Sequence, residues 1–323
     1  VTNIPTQPTN FATNSALTPA NEPNWGSCIT EISGILNHDT VWTKSNSPYI
    51  ITDNFIINQN VKLTIEPGVT VSIYSGKTIQ VLGSLYAVGL LTDSIYFIDF
   101  DSTAPFKAIE FGDSSEDVVM INGTYSSGNI LKFTNIIGGG VGANGSVNFA
   151  SSTAYISNSA VTNSNSSGIY LYKNTSHVGS SKFITIDSSK VLNNANNGIH
   201  CSCYQFNIGI YVLNSTIANN INDGFTSSGG DSGGNHDFIF TNNSFSGNGG
   251  IGYNGLTNGN QLFFTNTVEN NGSDGVRLRG NGTYKIRKNL IANNNGRGVH
   301  GIYASIEVDS NIIYQNLVGI EAS

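Results

Sequence analysis

A sequence repeat in the C-terminal half of this chain restricts it to one kind of architecture. Each copy has an apolar residue, a polar residue two places on, an apolar residue at +5, often Asn at +7, and Gly at about +12. One copy reads Val212, Asn214, Ile217, Asn219 and Gly224. Self-similarity at intervals of about 20 to 50 residues indicates a solenoid or an array. Because the segments between the glycines lack helical periodicity, the repeat predicts a solenoid of short β-strands.

The glycines that close the copies set the length of each coil. Their spacing is 30 residues at the start of the series and 21 at its end. An apolar residue follows each glycine directly and opens another strand. The glycines are Gly168, Gly198, Gly224, Gly250, Gly275, Gly298 and Gly319.

Apolar and polar residues alternate within each coil, as in residues 208–212 and 183–186. This period of two is typical of strands with one buried and one solvated face, and a single coil must stack on its neighbours to bury its inward residues. Asn tolerates left-handed backbone angles, so we interpret the recurring Asn as structural corners that can stack amide to amide. The corner residues are Asn163, Asn193, Asn219 and Asn293.

The chain divides into three segments. Residues 1–24 are rich in Thr, Pro and Asn and carry no charge before Glu22, which predicts an extended arm. Residues 25–48 are expected to cap the first coil. Residues 49–323 are expected to form one all-β domain, a parallel β-helix of about 13 coils and about 60 Å at about 4.8 Å per stacked strand.

Composition excludes several classes of function. Charged residues make up 11% of the chain and the net charge is −7, so a nucleic-acid partner is not expected. No run of apolar residues is long enough to span a membrane. The chain begins at Val1 without a signal-like segment, which we interpret as a mature secreted protein at the cell surface.

Modification sites and cysteines are consistent with an extracellular location. Asn-x-Ser/Thr sequons predict a glycoprotein if the host glycosylates its surface proteins. The three cysteines, Cys28, Cys201 and Cys203, allow at most one disulfide bond within the chain, and we favour inert buried thiols over a metal site. No cofactor and no metal are expected. The possible glycosylation sites are Asn122, Asn144, Asn165, Asn174, Asn214, Asn242, Asn271 and Asn281.

Three N-terminal segments resemble a known module. Residues 39–51, 63–71 and 83–89 are similar to the leading module of secreted right-handed parallel β-helix proteins of bacteria and archaea. The downstream Asn-Gly-apolar repeats resemble the parallel β-helix repeats of the pectate-lyase-like superfamily. The resemblance covers about residues 36–323 and implies a right-handed, single-stranded parallel β-helix. That superfamily includes polysaccharide lyases, hydrolases, tailspikes, adhesins and surface-layer components, so function has to be argued from a site.

A catalytic site is not evident from motifs. A hydrolase on this fold needs clustered carboxylates, and the Asn-Thr-Asp, Asp-Asp and Gly-His-Gly motifs of the polygalacturonase-like members are absent. A pectate-type lyase would need calcium-binding acids near a basic residue. The best candidates are Asp223, Asp231, Asp237 and Asp274 with Arg277 and Arg279. We interpret these acids as solvated turn residues and His236 as a loop residue, so catalysis is not expected.

The charges are distributed unevenly along the chain. Six of the 14 Lys and Arg residues fall within residues 277–297, and acidic residues gather earlier, between residues 99 and 117. Opposite bands near the two ends of a rod suit head-to-tail contact between copies. The basic patch comprises Arg277, Arg279, Lys285, Arg287, Lys288 and Arg297.

The last coil predicts assembly. Its apolar residues have no capping segment after them, and an uncovered solenoid end invites a second copy, with the arm (including Ile4 and Phe11) adding a strand across the joint. The leading hypothesis is therefore an extracellular structural protein, a rod that assembles end to end with itself into a filament, sheath or array. The alternative is a carbohydrate-active enzyme or glycan-binding adhesin. The last-coil residues are Ile306, Val308, Ile313, Val318 and Ile320.

Overall fold

The computed structural model describes residues 29–172, 182–202, 208–228 and 237–323. In these residues the chain forms β-strands and one short 3-10 turn, Lys44–Asn46, and no α-helix. The arm, with Ile4 and Phe11, lies outside the described residues, as do Cys28, Asn174, Cys203, Asp231 and His236.

The first fifteen strands include one hairpin, β10–β11. In chain order they are β1 (Thr30–Leu36), β2 (Thr40–Trp42), β3 (Tyr49–Ile57), β4 (Lys62–Ile65), β5 (Thr70–Ile73), β6 (Thr78–Val81), β7 (Ser84–Val88), β8 (Ile95–Asp99), β9 (Ala108–Phe111), β10 (Val119–Ile121), β11 (Thr124–Ser127), β12 (Ile130–Lys132), β13 (Thr134–Ile137), β14 (Gly145–Ala150) and β15 (Tyr155–Ser157).

The remaining strands follow one regular order. They are β16 (Ala160–Thr162), β17 (Ser167–Tyr172), β18 (Lys182–Asp187), β19 (Lys190–Leu192), β20 (Ile199–Ser202), β21 (Ile208–Leu213), β22 (Thr216–Ala218), β23 (Phe225–Ser228), β24 (Phe238–Thr241), β25 (Ser244–Ser246), β26 (Tyr253–Leu256), β27 (Asn260–Phe264), β28 (Thr267–Glu269), β29 (Val276–Arg279), β30 (Thr283–Arg287), β31 (Leu290–Ala292), β32 (Arg297–Ile302), β33 (Ser305–Asp309), β34 (Ile312–Tyr314) and β35 (Val318–Ala322).

Each coil contributes one strand to each of three parallel faces. Face I is an 11-stranded sheet that runs from β2 to β33. Face II contains the short strands β5, β8, β13, β16, β19, β22, β25, β28, β31 and β34. Face III contains β6, β9, β14, β17, β20, β23, β26, β29, β32 and β35, and β3 joins faces II and III. The all-β parallel β-helix predicted from the sequence is confirmed.

The number of coils is smaller than the sequence suggested. Face I has 11 strands in the described part of the chain, against the expected 13 or so. The difference arises because β5 with β6, and β8 with β9, are two strands of the same coil, although each apolar run resembles a coil of its own. The cap segment contributes β1 and β2, which pair in parallel with β3 and β4 and so extend the same sheets.

Apolar side chains fill the interior along the whole rod. The inward columns are mostly Ile, Val, Leu and Phe with no exposed surface. Aromatic side chains concentrate around Phe240, whose ring lies 4.8 Å from that of Phe225 and 4.8 Å from that of Tyr253. Tyr253 also contacts Phe263, with ring centroids 4.8 Å apart. The coils from β23 to β27 therefore enclose one continuous aromatic core.

The asparagine corners take the predicted backbone conformation. Asn163, Asn193, Asn219 and Asn293 all have φ between 56° and 58°, the left-handed region. The amide ladder, however, is formed by the next residue in each coil, which points inward and is buried. Oδ1 of the first member, Asn194, accepts the backbone N–H of Ser164, and each later Oδ1 accepts that of the preceding member. The members are Asn194, Asn220, Asn248, Asn271, Asn294 and Asn316.

A second ladder follows the corner between faces I and II. Ser159, Ser189 and Ser215 begin it, and each hydroxyl oxygen accepts a backbone N–H from the coil before. Asparagines continue it with the same bonds between side chains and backbone. These asparagines are Asn243, Asn266, Asn289 and Asn311. Both ladders satisfy backbone donors that turn inward at the corners, where a sheet cannot pair them.

The glycine before each face III strand is required by close packing between coils. A Cβ at Gly252 would lie 2.7 Å from the carbonyl oxygen of Gly275 and 2.9 Å from Nδ2 of Asn271. A Cβ at Gly224 would likewise lie 2.6 Å from the carbonyl oxygen of Gly252. The residue that closes this coil is therefore Gly252, and the prediction of Gly250 was wrong because the run Gly249–Gly252 offers more than one glycine.

Candidate functional site

The basic patch does not form one surface. Arg277, Arg279 and Arg297 lie on face III, in β29 and β32, whereas Lys285 and Arg287 lie on face I in β30. Lys288 occupies a corner with φ 57°. The chain turns onto a new face every few residues, so proximity in the sequence does not place these cations together.

Acidic partners neutralise half of the patch. Arg277 pairs with Asp274, Arg297 with Glu321, and Arg287 with Glu307. In the described part of the chain, Arg279, Lys285 and Lys288 form no ion pair. Half of the predicted basic band is therefore neutralised within the chain, and its contact with an acidic band of another copy stays a prediction.

The last-coil residues differ in how far they are covered. Ile306, Val308 and Ile313 pack against the core as partly buried side chains, whereas Val318 is 40% exposed and Ile320 54%. A further coil would cover them whether it came from another copy or from the same chain. End-to-end assembly stays a prediction.

The three candidate acids that the structure describes fall on different parts of the fold. Asp223 and Asp274 occupy equivalent positions, each directly before the glycine of a face III strand. Oδ1 of Asp223 accepts the Ile251 N–H at 2.7 Å, and Oδ1 of Asp274 accepts the Arg297 N–H at 2.8 Å. Asp237 lies at the edge of face I. The acids do not converge on a calcium site, and no metal-binding group of three or more His, Cys, Asp or Glu side chains occurs among the described residues.

Asp274 is the centre of a buried polar cluster on the outer side of face III. Its side chain is 2% exposed, and Oδ2 lies 2.8 Å from Nε and 2.7 Å from Nη2 of Arg277. Arg297 lies on the other side of the carboxylate and donates two hydrogen bonds, 2.7 and 3.1 Å long, to Glu321. Desolvation alone would favour the neutral acid, so the buried carboxylate of Asp274 needs the positive charge of the two guanidinium groups to stay ionised.

His300 completes the cluster. It is 7% exposed, and its Nδ1 lies 3.1 Å from Oδ2 of Asp274. Because an ionised carboxylate only accepts hydrogen bonds, it holds a proton on Nδ1, and in the neutral ring the lone pair is then on Nε2. Nε2 has no hydrogen-bond partner in the described chain. A histidine fixed in this tautomer by a carboxylate is an arrangement suited to a general base.

The ionisation of the cluster follows from its contacts. Burial opposes ionisation of Asp274, but the Arg297 N–H and the Arg277 guanidinium outweigh it and lower the pKa of the carboxyl group. The hydrogen bond from Arg297 lowers the pKa of Glu321 as well. Both acids are therefore charged at neutral pH, and the cluster has two negative and two positive groups beside His300.

We expect acid to destabilise the protein through Asp274. Its folded pKa lies below its unfolded pKa of about 3.9, so its contribution is complete above that value and is lost as the pH falls through the folded pKa. Urea unfolding from pH 6 to pH 2 should give a steeper loss for the native protein than for Asp274→Asn. At neutral pH the variant should be about 2 kcal/mol less stable, because Arg277 loses its partner. Parallel curves for the two proteins would contradict this role.

The sequence analysis missed His300 and Glu321. His300 is 26 residues from Asp274 along the chain, and lateral pairing of β32 with β29 places it beside Arg277. Arg277 and His300 occupy the same position of consecutive coils, and this is the only feature of the sequence that indicates their contact. It becomes visible once the coils are aligned on Gly275 and Gly298.

Two expectations about modification are changed by the structure. Cys201 is disulfide-bonded, so the expectation of a free buried thiol at this position was wrong. Asn271 is 1% exposed and belongs to the amide ladder, so a glycan cannot be attached there while the coils are stacked. The other described sequon asparagines are exposed; they are Asn122, Asn144, Asn165, Asn214, Asn242 and Asn281.

No described helix is long and apolar enough to cross a membrane.

Comparison with known proteins agrees with the fold. Residues 207–323 match the family model described as right handed beta helix region. The resemblance to right-handed β-helix proteins that was drawn from the sequence is confirmed. The protein named Protein bark beetle of Drosophila melanogaster is 33% identical over 99 residues, which is 30% of this chain and 3% of that relative. The chain therefore matches only a small part of that protein.

The solved structures with a similar backbone path have low sequence identity to this chain. The periplasmic alginate epimerase AlgG is 12% identical, with a TM-score of 0.49 over 91% of this chain and 73% of that one. The A-module of the mannuronan C-5 epimerase AlgE6 of Azotobacter vinelandii is 13% identical, with a TM-score of 0.38 over 92% and 91%. The Dettilon tailspike protein is 10% identical, with a TM-score of 0.33 over 91% and 62%.

Proposed function

We propose that this protein acts on an acidic polysaccharide, and that His300 on face III removes the proton next to a sugar carboxylate. The observation that carries the proposal is a buried contact of 3.1 Å between Nδ1 of His300 and Oδ2 of Asp274. The Asp274 carboxylate in this contact lies between two arginines. Outward side chains of a β-helix need no such burial for stability. A strongly paired carboxylate that orients a histidine is typical of functional sites.

The chemistry follows from the charges around Nε2. The lone pair of Nε2 accepts the proton from the carbon next to the carboxylate, and the electron pair of the broken C–H bond moves into the carboxylate group. Arg277 and Arg297 each have five N–H donors and use only some of them in their ion pairs. The remaining donors suit the carboxylate of a uronic acid, whose negative charge grows in the transition state.

The contact between His300 and Asp274 also has a structural explanation, and the experiment has to distinguish it from a catalytic role. Asp223 bonds a backbone N–H just as Asp274 does, so this part of the Asp274 environment belongs to the fold. The equivalent of His300 is Asn254, whose Nδ2 donates to Oδ2 of Asp223 at 2.9 Å. His300 differs from that amide because its ring has a second nitrogen that can accept a proton. The test is therefore made at His300.

The experiment is exchange of sugar protons in heavy water. Oligomannuronate and oligogalacturonate are incubated with the protein in D2O, and loss of the proton next to the carboxylate is followed by nuclear magnetic resonance. The native protein should exchange this proton, and His300→Asn should reduce the rate by about 100-fold or more. This readout detects proton removal whether the product is an epimer or an unsaturated sugar.

The matched control is His200→Asn. His200 lies in the same outward column of face III, with its Nε2 3.3 Å from Ser228 Oγ. Among the described residues, no carboxylate forms a hydrogen bond with it. Burial lowers the pKa of His200 in spite of the nearby Asp223. This variant should keep the native exchange rate. No exchange by the native protein, or equal rates for the native protein and His300→Asn, would refute the proposal.

We also propose that the protein works outside the cytoplasm. The disulfide bond at Cys201 supports this location, because disulfides persist in oxidising compartments. A polysaccharide substrate has the same implication. Fractionation of the native source, with detection of this chain by antibody, tests the proposal, and recovery from the cytoplasm alone would contradict it.

A further inference from the structure

A groove on the outer side of face I is separate from the His300 cluster. It lies between β21 and β30 and has a volume of about 460 Å³. Its floor is one column of outward residues in parallel register, Tyr211, Ile239, Leu262 and Lys285. This volume lies in the range of small-molecule and sugar sites, about 300 to 1,000 Å³.

One end of the groove is a fixed aromatic surface. The ring of Phe183 stacks on that of Tyr211, with centroids 5.0 Å apart and an angle of 29° between the planes. Gly209 makes this possible, because a Cβ at that position would collide with the Phe183 ring. Tyr211 also keeps its hydroxyl proton, since burial and then Asp237 raise its pKa. The rings therefore present a flat apolar face beside a hydrogen-bond donor.

The sides and the other end of the groove are polar. Asp237 Oδ1 accepts the backbone N–H of Asn260 at 3.2 Å, which fixes one edge, and Thr283 continues that edge in the next coil. At the far end Lys285 is exposed, and it forms no ion pair in the part of the chain that the structure describes. Arg287 beside it is paired with Glu307. The groove thus has two charged groups outside ion pairs in the described chain, the Asp237 carboxylate at one edge and the Lys285 cation at the far end.

We propose that this groove binds a saccharide that carries an acidic group, with a sugar ring against Tyr211 and its anion at Lys285. Aromatic faces with carboxylate and amide edges match the apolar faces and hydroxyl groups of sugar rings, and Lys285 supplies charge complementarity. A peptide strand cannot add here, because every strand from β21 to β30 is already paired on both sides. A nucleic acid is disfavoured by the net charge of −7.

The test is calorimetric titration with oligogalacturonate, with neutral cello-oligosaccharide of equal length as the comparison. Tyr211→Ala and Lys285→Gln should each weaken binding at this site by at least tenfold. Tyr155→Ala is the matched control, because Tyr155 lies in the same column two coils earlier, outside the groove. It should bind like the native protein. Circular dichroism confirms that each variant is folded.

Stoichiometry separates this site from face III. If both faces bind, Tyr211→Ala should lower the number of sites from two to one, and His300→Asn should leave the face I site intact. If face III does not bind, the native protein should show one site and Tyr211→Ala none. Unchanged affinity and stoichiometry in both groove variants would overturn the inference, and equal binding of the neutral oligosaccharide would overturn the role given to Lys285.

Discussion

Replacing Phe240 by alanine is expected to lower the free energy of unfolding by about 4 kcal/mol. Phe240 has no exposed surface, and its ring contacts Phe225, Phe245, Tyr253 and Phe263. The cost combines lost transfer free energy with the cavity left between rings that belong to three coils. Because the core of a β-helix is narrow, the backbone sheets on either side hold the cavity open. Urea unfolding followed by circular dichroism measures the change.

Phe264→Ala is the matched control for this prediction. Phe264 directly follows core residue Phe263 but points outward from face I, where Lys288 lies 5.4 Å from its ring centre. We expect this variant to lose less than about 1 kcal/mol, because an exposed cation–π contact contributes little. Equal losses in the two variants would mean that the aromatic core does not stabilise the rod as described.

Replacing Asn248 by alanine is expected to cost about 3 to 4 kcal/mol. Oδ1 of Asn248 accepts both the backbone N–H and the side-chain amide of Asn220, and its Nδ2 donates to Asn271 and to the Ile217 carbonyl. The variant leaves these buried groups of the neighbouring coils unpaired, and each such group costs about 1 to 3 kcal/mol. The loss is smaller than the sum because a water molecule can replace part of the amide.

Asn219→Gly serves as the control for the ladder. Asn219 is the exposed corner residue of the preceding coil, with φ 56°, and glycine adopts that angle without strain. Urea unfolding should give nearly native stability for this variant. A loss as large as that of Asn248→Ala would mean that the corner, and not the ladder, stabilises the stack.

The fold could be predicted because its determinants are local. Alternation of apolar and polar residues defines the strands, and Asn193 and Asn219 take their corner conformation through their own backbone preference. The ladder lies one residue further on, at Asn194 and Asn220, because only the position after the corner turns its side chain inward. Corner identity could be derived from residue type, whereas side-chain direction at the corner required the three-dimensional path.

The candidate site could not be predicted because it depends on register between coils. Asp274 and Arg277 were recognised as candidates, but His300 comes into contact with them only through lateral pairing of β29 and β32. Coils of unequal length hide this pairing, as the shift from Gly250 to Gly252 illustrates. The layout of the basic patch depends on the same path of the chain, since Arg279 and Lys285 are six residues apart but lie on different faces.

The regular part of the rod has a consequence for how such a chain can change in evolution. From Asn243 to Asn289 and from Asn248 to Asn294, the ladder partners are separated by a constant 23 residues. An in-frame duplication or deletion of one such unit would place every side chain opposite an equivalent partner and disturb only the junction. The length of the molecule can therefore vary by whole coils under mild selection, while the polar residues on its outer faces diverge independently of the core.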